Sequence, residues 1–388
     1  MSPRIRAVRA HYLRADLEEP FGWSVYTTRL RQALLVEVET DDGLIGWGEA
    51  GSGTLPAAAK RFVEEVLGPL AVGQDPFDLN GIWQRAQTTF DRAGWGGGLA
   101  IQALSGLEVA LWDLMGKATN RPVCQLLGGR VRDRVQAYAT GLYYYPSAAD
   151  PSAAREEEAR GYVERGYRAM KMKVGGLSPA VDLREVERIR RAVGDDVTLL
   201  VDANGAYDSH TAIQVGGELD RLGVAWFEEP VQRGDVDGYL EVKRALRTAI
   251  AGGEHLGGCE AFRELLTRRA VDIAQPDVAN CGGLSEARRI AAVAGAFHVR
   301  VFPHVWGTPL AIAAGLHFAA TLPSTPPTMT PTPLAQEPIF EFDSTPHPIR
   351  EAMMTESLRP LDGWLRIPDG PGLGVEVDPG LIARLSAD

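Results

Sequence analysis

Three acidic residues in the middle of the sequence recur at a constant interval. Asp202, Glu228 and Glu254 each close a short run of mostly apolar residues, and the two intervals between them are 26 residues each. Brought together, three carboxylates form the hard oxygen-ligand set that Mg²⁺ prefers, with room left for water or substrate oxygens. Any one of them could instead be a helix N-cap or a solvated loop acid. Their equal spacing, each at the end of a similar run, favours a magnesium site.

Two lysines lie two residues apart on the predicted strand before the acidic series. Lys171 and Lys173 therefore share one face of that strand, which we expect to point into the fold. Two like charges beside each other should lower each other's pKa, and a lysine near neutrality can act as a general base. We assign the base to Lys173, with Lys171 as its electrostatic partner. The alternative is that both lysines extend from a strand end to solvent.

An aspartate and a histidine close two further runs of the same kind. Asp277 and His304 are separated by 27 residues, and a hydrogen bond between them would set the imidazole tautomer and raise its basicity. This pair predicts a second acid/base group, although a buried structural histidine is the common alternative. Glu341 closes the last run and could donate a hydrogen bond to a substrate oxygen if it were protonated, or it could be structural.

Further candidates for substrate contact are of two kinds. Two polar residues lie within two positions of the expected metal ligands, and several residues lie in N-terminal loops that could close over a site and set its specificity. Ordinary loop or packing residues would show the same pattern, so both interpretations stay open. The candidates are Asn204 and His255 beside the ligands, and Trp23, Tyr26 and Ser52 in the loops.

The elements that must position these residues repeat at a nearly constant step. From about residue 135, short β-rich runs alternate with amphipathic helices, and the intervals between the reactive ends from 173 to 304 are 29, 26, 26, 23 and 27 residues. That step is the length of one βα unit, and parallel strands repeated this often close into a barrel. The strand ends then converge on one mouth. The proline-rich stretch 323–333 is expected to be an irregular loop.

The N-terminal part shows a different pattern. Strand-like runs at 33–39 and 44–49 are followed by helical periodicity over 57–67 and 100–117, which is typical of an α+β capping domain. We interpret the end of the chain as strands that return to this cap. The fold class is thus α/β, a TIM-like barrel with an α+β cap, divided into a cap over 1–130, a barrel over 131–355 and a C-terminal segment over 356–388.

Composition excludes several classes of protein. The 388 residues carry 40 Lys and Arg against 51 Asp and Glu, a net charge of -11, which disfavours a nucleic-acid partner and favours a small-molecule one. The three cysteines show no CxxC spacing, and no stretch approaches the roughly 18 uninterrupted apolar residues of a membrane span. We expect a soluble cytoplasmic protein with no membrane partner.

Short motifs along nearly the whole chain resemble those of the enolase superfamily, and within it the mandelate racemase subgroup. The resemblance implies a capping domain on a (β/α)₇β barrel, Mg²⁺ on Asp202, Glu228 and Glu254, a Lys173 base and an Asp277–His304 dyad. It also implies a homo-oligomer, from dimer to octamer. The motifs are GWGE (46–49), SGLEVALWDLMGK (105–117), LLGG (126–129), KMK (171–173), VDAN (201–204), FEEP (227–230), GGEH (252–255), QPD with CGG (275–283), PHVWGT (303–308) and IPDGPGLG (367–374).

Within the subgroup, the PHVWGT motif, the stretch 341–353 and the terminal IPDGPGLGVEVD are similar to galactarolactone cycloisomerases. This similarity implies removal of the proton α to a carboxylate of a sugar acid or its lactone, followed by opening of the lactone. Acid-sugar dehydratases have the same lysine, histidine and metal residues, and a mandelate-type racemase or epimerase is the next alternative. A remote one is a metal-stabilised ligand-binding protein without catalysis. N-succinylamino-acid racemases carry a lysine where this chain has Asp277, which argues against that function for this chain.

Overall fold

The computed structural model describes residues 3–51 and 55–387; Ser52 lies outside the described residues. The N-terminal part is a three-stranded antiparallel sheet packed on helices. Its strands are β1 (Ile5–Trp23), β2 (Tyr26–Thr40) and β3 (Ile45–Ala50), and its helices are α1 (Pro56–Phe62), a π-helical turn (Val63–Leu67), α2 (Gly68–Ala71), α3 (Leu79–Ala93), α4 (Leu99–Thr119) and α5 (Val123–Leu126). The two predicted strands and both predicted helical segments are present, while β1 and α3 had no expectation.

Helix α4 packs closely against strand β3. A side chain at Gly46 or Gly48 would lie 2.2 Å from a backbone oxygen of α4, so glycine permits the contact at these two positions. Over residues 3–51 and 55–387, α4 is the single helix long and apolar enough to span a membrane by length and composition, and 83% of its apolar window is buried within the protein. A core helix passes the same test.

The second part is a curled parallel sheet surrounded by helices. The strand order is β10-β9-β8-β7-β6-β5-β4-β11, so the last parallel strand pairs with the first, as expected for the barrel. The strands are β4 (Arg134–Thr140), β5 (Ala169–Lys173), β6 (Thr198–Asp202), β7 (Trp226–Glu228), β8 (Ala249–Gly252), β9 (Ile273–Ala274), β10 (Arg300–Val301) and β11 (Ile339–Asp343).

Three of the reactive residues lie beyond their strands instead of closing them. Glu254 follows β8 by two residues, and Asp277 and His304 follow β9 and β10 by three. Gly253 has a φ of +114°, which leaves the extended conformation, and the prolines before Asp277 and His304 lack the N–H group of a strand ladder. Asp277 and His304 still form an isolated parallel bridge, so the ladder resumes at the dyad.

Helices follow the barrel strands in the expected alternation, and residues 323–333 contain no helix or strand. The outer helices are α6 (Pro151–Glu164), α7 (Pro179–Val193), α8 (Ser209–Arg221), α9 (Val236–Ala245), α10 (Gly258–Thr267), α11 (Leu284–Ala296), α12 (Pro309–Thr321) and α13 (Pro348–Met353). A 3-10 turn (Glu356–Leu358), strand β12 (Trp364–Arg366) and helix α14 (Pro379–Leu385) complete the chain.

The C-terminal segment differs from the expectation of strands on the cap. Its one strand, β12, pairs antiparallel with barrel strand β4, and the element that contacts cap strand β1 is helix α14. Pro368 and Pro371 have no backbone N–H group to donate to a strand ladder, and residues 367–378 accordingly form no strand. The three-part division of the chain stays a prediction.

Candidate active site

Three buried carboxylates meet at the C-terminal ends of neighbouring barrel strands. One ligand oxygen from each of Asp202, Glu228 and Glu254 lies within 4.8 Å of the others. Burial raises the pKa of Glu228 well above its usual value; the Lys171 ammonium opposes this effect and the Asp202 charge adds to it. The buried Oε2 of Glu254 has no hydrogen-bond partner in the described part of the chain. A set of hard oxygens with one oxygen free fits a divalent cation such as Mg²⁺.

Both lysines of β5 point into the same group of carboxylates. Lys171 Nζ lies 2.7 Å from Glu228 Oε1 and 3.0 Å from Glu341 Oε1, and Lys173 Nζ donates to Asp202 Oδ2. Burial lowers the pKa of Lys173, but attraction to Asp202 and the neighbouring carboxylates outweighs both burial and the Lys171 charge. Lys171 lowers the pKa of Lys173 as expected, but the carboxylates outweigh that contribution, so the net pKa is raised and not lowered. The shared orientation of the two side chains is as expected.

The histidine and aspartate form the expected hydrogen bond. His304 Nδ1 lies 2.6 Å from Asp277 Oδ2, and His304 Nε2 lies 3.6 Å from one oxygen each of Glu254 and Glu341. Burial lowers the pKa of His304, but the charges of Glu254 and Glu341 and the hydrogen bond to Asp277 raise it to about 10. The imidazole is therefore held in one orientation with Nε2 towards the acidic cluster.

Glu341 lies among hydrogen-bond donors and positively charged groups. Its Oε1 accepts a hydrogen bond from Thr140 Oγ1 at 2.6 Å and pairs with Lys171. Burial raises the pKa of Glu341, but the charges of Lys171 and His304 outweigh it and the pKa is lowered. A lowered pKa disfavours the suggested protonated donor, and the contacts favour the structural alternative; the role of Glu341 stays a prediction.

A cavity of about 250 Å³ lies between the barrel mouth and the cap, and five of the predicted reactive residues border it: Lys173, Glu254, Asp277, His304 and Glu341. Its walls carry carboxylates, a lysine and an imidazole on the barrel side and aromatic and amide groups elsewhere. The lining residues are Trp23, Tyr26, Thr28, Leu30, Gln32, Ala33, Glu49, Ala50, Gly51, Gln102, Thr140, Tyr143, Lys173, Asn204, Glu254, His255, Asp277, Ala279, Asn280, His304, Trp306 and Glu341.

The four described candidates for substrate contact all line this cavity. Trp23 packs against Tyr26 and Trp306 with ring centroids 5.1 and 5.9 Å away. Asn204 adopts φ +47° and donates its backbone N–H to Asp202. Its buried side-chain Oδ1 has no hydrogen-bond partner in the described chain. His255 Nε2 lies 3.1 Å from an oxygen of Glu254. Their roles in binding stay predictions.

Two aromatic residues of the cavity wall had no expectation from the sequence. Tyr143 is buried and lies three residues beyond β4, and its hydroxyl accepts a hydrogen bond from Trp306 Nε1 at 3.2 Å. The Lys173 ammonium lies 5.9 Å from the Tyr143 ring centroid. Counting one βα unit back from Lys173 reaches this tyrosine, so the spacing of the repeat could have predicted its position at the barrel mouth.

Contacts between cap and barrel hold the roof of the cavity. Gly22 and Tyr144 exchange two backbone hydrogen bonds of 2.8 Å, and Ser24 Oγ donates to the carbonyl oxygen of Val174 at 2.6 Å. Val174 directly follows Lys173, so the tip of the β1–β2 hairpin is bound to the strand that carries the lysine. These bonds place Trp23 over the mouth.

A buried glutamate of the cap completes this junction. Glu49 on β3 accepts hydrogen bonds from both the N–H and the hydroxyl of Thr308, and from the N–H of Ala311, at the N-terminus of α12. Burial raises the pKa of Glu49 to about 7, and these hydrogen bonds oppose the rise. The GWGE motif therefore joins the cap sheet to the loop that follows His304.

Known proteins are similar to this chain over both the cap and the barrel. Residues 6–128 match the mandelate racemase/muconate lactonizing enzyme N-terminal domain, and residues 154–381 match the enolase C-terminal domain-like family. The chain is 40% identical to D-galactarolactone cycloisomerase of Agrobacterium fabrum over 97% of each chain, and 34% identical to arabinonate dehydratase of Saccharolobus solfataricus over 90% and 89%.

A solved structure has the same fold at similar identity. The 3,6-anhydro-D-galactonate cycloisomerase from Zobellia galactanivorans superposes with a TM-score of 0.87 at 32% identity, covering 99% of this chain and 100% of that one. The similarity thus extends over both the cap and the barrel.

Proposed function

The chain belongs to the mandelate racemase/muconate lactonizing enzyme family of the enolase superfamily, and from this premise we propose that it is a Mg²⁺-dependent cycloisomerase of aldarolactones. The single observation that carries the chemistry is that a lysine, a histidine dyad and Glu254 of the acidic triad border one small cavity, with the other two carboxylates of the triad within 4.8 Å of Glu254. The type of substrate is supported by the 40% identity to D-galactarolactone cycloisomerase over nearly the full length of both chains.

The acid/base groups approach the cavity from separate strands. Lys173 on β5 and His304 beyond β10 are five positions apart in the sheet order. The dyad partner Asp277 holds the imidazole, and the carboxylates of the triad lie between. A substrate in the cavity would therefore meet a basic group on one side and a proton donor on the other.

The residues support a proton-transfer sequence that conserves the atoms of the lactone. Asp202, Glu228 and Glu254 would hold Mg²⁺, which supplies positive charge as the proton α to the substrate carboxylate is removed. With the charges of the triad offset by the cation, the carboxylates would no longer hold the pKa of Lys173 up, and its neutral amine would take that proton. The electron pair of the C–H bond forms the double bond to the β-carbon. The bond from the β-carbon to the ring oxygen breaks, and His304 donates a proton to the leaving oxygen. The open-chain enol acid then becomes a keto acid, an isomer of the lactone.

Dehydration of an open-chain sugar acid is the second candidate. Arabinonate dehydratase is similar over 90% of this chain, and the same two groups could remove an α-proton and protonate a β-hydroxyl, which leaves as water. The keto acid product then lacks one water relative to the substrate. The two reactions therefore differ in the mass of the product, and one assay separates them.

The test is α-proton exchange and product formation by NMR in D₂O with Mg²⁺, using a library of aldarates, aldonates and their 1,4-lactones. We expect the wild-type protein to open an aldarolactone to a keto acid of equal mass. Lys173→Ala should abolish the reaction, and His304→Asn should slow it about 100-fold or more. Lys60→Ala on α1 and His210→Asn on α8 are matched controls outside the cavity and should react normally.

Each other outcome has a defined meaning. A product lighter by one water from an open-chain acid would favour the dehydratase, and exchange without a new product would favour a racemase or epimerase. Exchange that persists in Lys173→Ala would reject the assignment of the base. Absence of exchange with every compound, in protein that binds Mg²⁺, would reject acid-sugar chemistry and favour the ligand-binding alternative.

A further inference from the structure

Two neutral N–H donors contact the same oxygen of one candidate metal ligand. Gln275 Nε2 lies 2.9 Å and Trp226 Nε1 lies 3.1 Å from Glu228 Oε2. All three side chains are completely buried. The other oxygen of Glu228, Oε1, pairs with Lys171 Nζ at 2.7 Å. The two oxygens of this carboxylate therefore have separate partners.

The two donors come from a layer inside the barrel, one step deeper than the acidic triad. Trp226 precedes Glu228 by two residues on β7, so both side chains share the interior face of the strand. Gln275 directly follows β9. The rest of this layer is a hydrophobic cluster in which Tyr138 and Phe302 pack against Trp226 with ring centroids 5.3 and 6.1 Å away. The indole is therefore fixed by packing as well as by its hydrogen bond.

The side-chain oxygen of Gln275 is not satisfied at this position. Its Oε1 is buried and has no hydrogen-bond partner among the described residues. An unmade hydrogen bond of this kind destabilises the fold, and a leucine in the same volume would avoid that loss. A carboxylate only accepts hydrogen bonds, so the amide must turn its N–H towards Glu228. The contact with Glu228 is therefore what the amide contributes here.

We propose that Gln275 and Trp226 are positioning residues that hold Glu228 by Oε2, fix the orientation of its carboxylate towards the bound cation and thereby set the cation affinity of the site. Neutral donors orient a carboxylate without adding positive charge, whereas Lys171 adds charge that opposes a cation. Loss of such a supporting contact lowers metal affinity about 10- to 100-fold in proteins. The inference rests on the metal site of the proposed function and is independent of the substrate.

The test measures binding of Mn²⁺, an oxygen-binding substitute for Mg²⁺, to the full-length protein by EPR titration without substrate. We expect Gln275→Leu and Trp226→Phe each to raise the dissociation constant about 10-fold or more. Phe302→Leu is the matched control, because it disturbs the packing around Trp226 and removes no hydrogen bond. It should lower the unfolding temperature and leave the dissociation constant within about twofold of wild type.

Wild-type affinity in Gln275→Leu and Trp226→Phe would overturn the inference, as would an equal loss in Phe302→Leu, which would mean that packing alone sets the affinity. If Gln275→Leu does not fold, Gln275→Met keeps the length of the side chain and takes its place. Failure here leaves the proposed reaction standing, since exchange by the wild type is measured separately. A wild-type protein that binds no Mn²⁺ or Mg²⁺ would reject the metal site itself.

Discussion

The imidazole of His317 connects three segments of the chain and should make the fold sensitive to acid. His317 on α12 is fully buried; its Nδ1 accepts the backbone N–H of Cys124 at 3.3 Å, and its Nε2 lies 3.3 Å from the carbonyl oxygen of Leu373. Both hydrogen bonds need the neutral tautomer with its proton on Nε2. Burial lowers the pKa of His317 to about 4.

The size of the effect follows from this lowered pKa. An unfolded histidine has a pKa of about 6.5, so between pH 6.5 and 4 the unfolded chain binds more protons than the folded one. Stability is therefore complete above about pH 6.5 and falls as the pH is lowered towards 4. A shift of about 2.5 units corresponds to about 3 kcal/mol in total, of which about 2 kcal/mol is lost between pH 7.5 and pH 5.

The assay compares the wild type with His317→Gln in urea denaturation at pH 7.5 and pH 5.0. Glutamine does not titrate, and its amide can accept from Cys124 and donate to Leu373. We expect the wild type to lose about 2 kcal/mol more than the variant. His347, whose pKa burial lowers to about 3, is present in both proteins and cancels.

Equal pH dependence in the two proteins would refute this reasoning. An NMR titration of the wild type gives a second measurement that needs no variant. A His317 ring that titrates near pH 6.5 in the folded protein would contradict the burial argument directly.

Two further substitutions test the junction between the cap and the barrel and the packing within the cap. Asp343→Asn should destabilise the protein by about 3–5 kcal/mol in urea denaturation, because it leaves the buried guanidinium groups of Arg31 and Arg350 at 3.1 and 3.3 Å without their carboxylate. Asp16→Asn, in an exposed ion pair, is the control and should change stability by less than about 1 kcal/mol; equal losses would contradict the argument. Gly48→Ala should lower the melting temperature strongly or prevent folding, because its side chain would lie 2.2 Å from a backbone oxygen of α4. An unchanged melting temperature would show that β3 and α4 can move apart.

Much of the fold was predictable because the barrel repeats one unit. The near-constant interval between reactive residues predicted parallel strands with helical crossovers, and the strand order has that form. The predicted ends of β8, β9 and β10 lie too far along the chain, because Gly253 and two prolines stop the ladder before Glu254, Asp277 and His304. Local backbone chemistry thus shortened the strands without moving the reactive side chains away from the mouth.

The candidate site was predictable where its residues lie on the repeat. The acidic triad, the lysine pair and the dyad meet as their spacing implied. Tyr143 and Trp306 were missed, because an aromatic side chain at a strand end is as typical of packing as of a cavity wall. The support of Glu228 by Gln275 was also missed, because the position of Gln275 along the chain does not show which buried polar group its amide contacts.

The sequence by itself determined which residues could do chemistry and which strand carried each of them. Residue type is local information, and a repeat of one βα unit converts distance along the chain into position around a barrel. Only the tertiary structure decided the electrostatics. The pKa of Lys173 depends on the sum of all charges within a few ångströms, and the carboxylates that raise it come from three other strands. The sequence of one strand shows that Lys171 is a neighbour of Lys173, but it does not show that those carboxylates lie nearby.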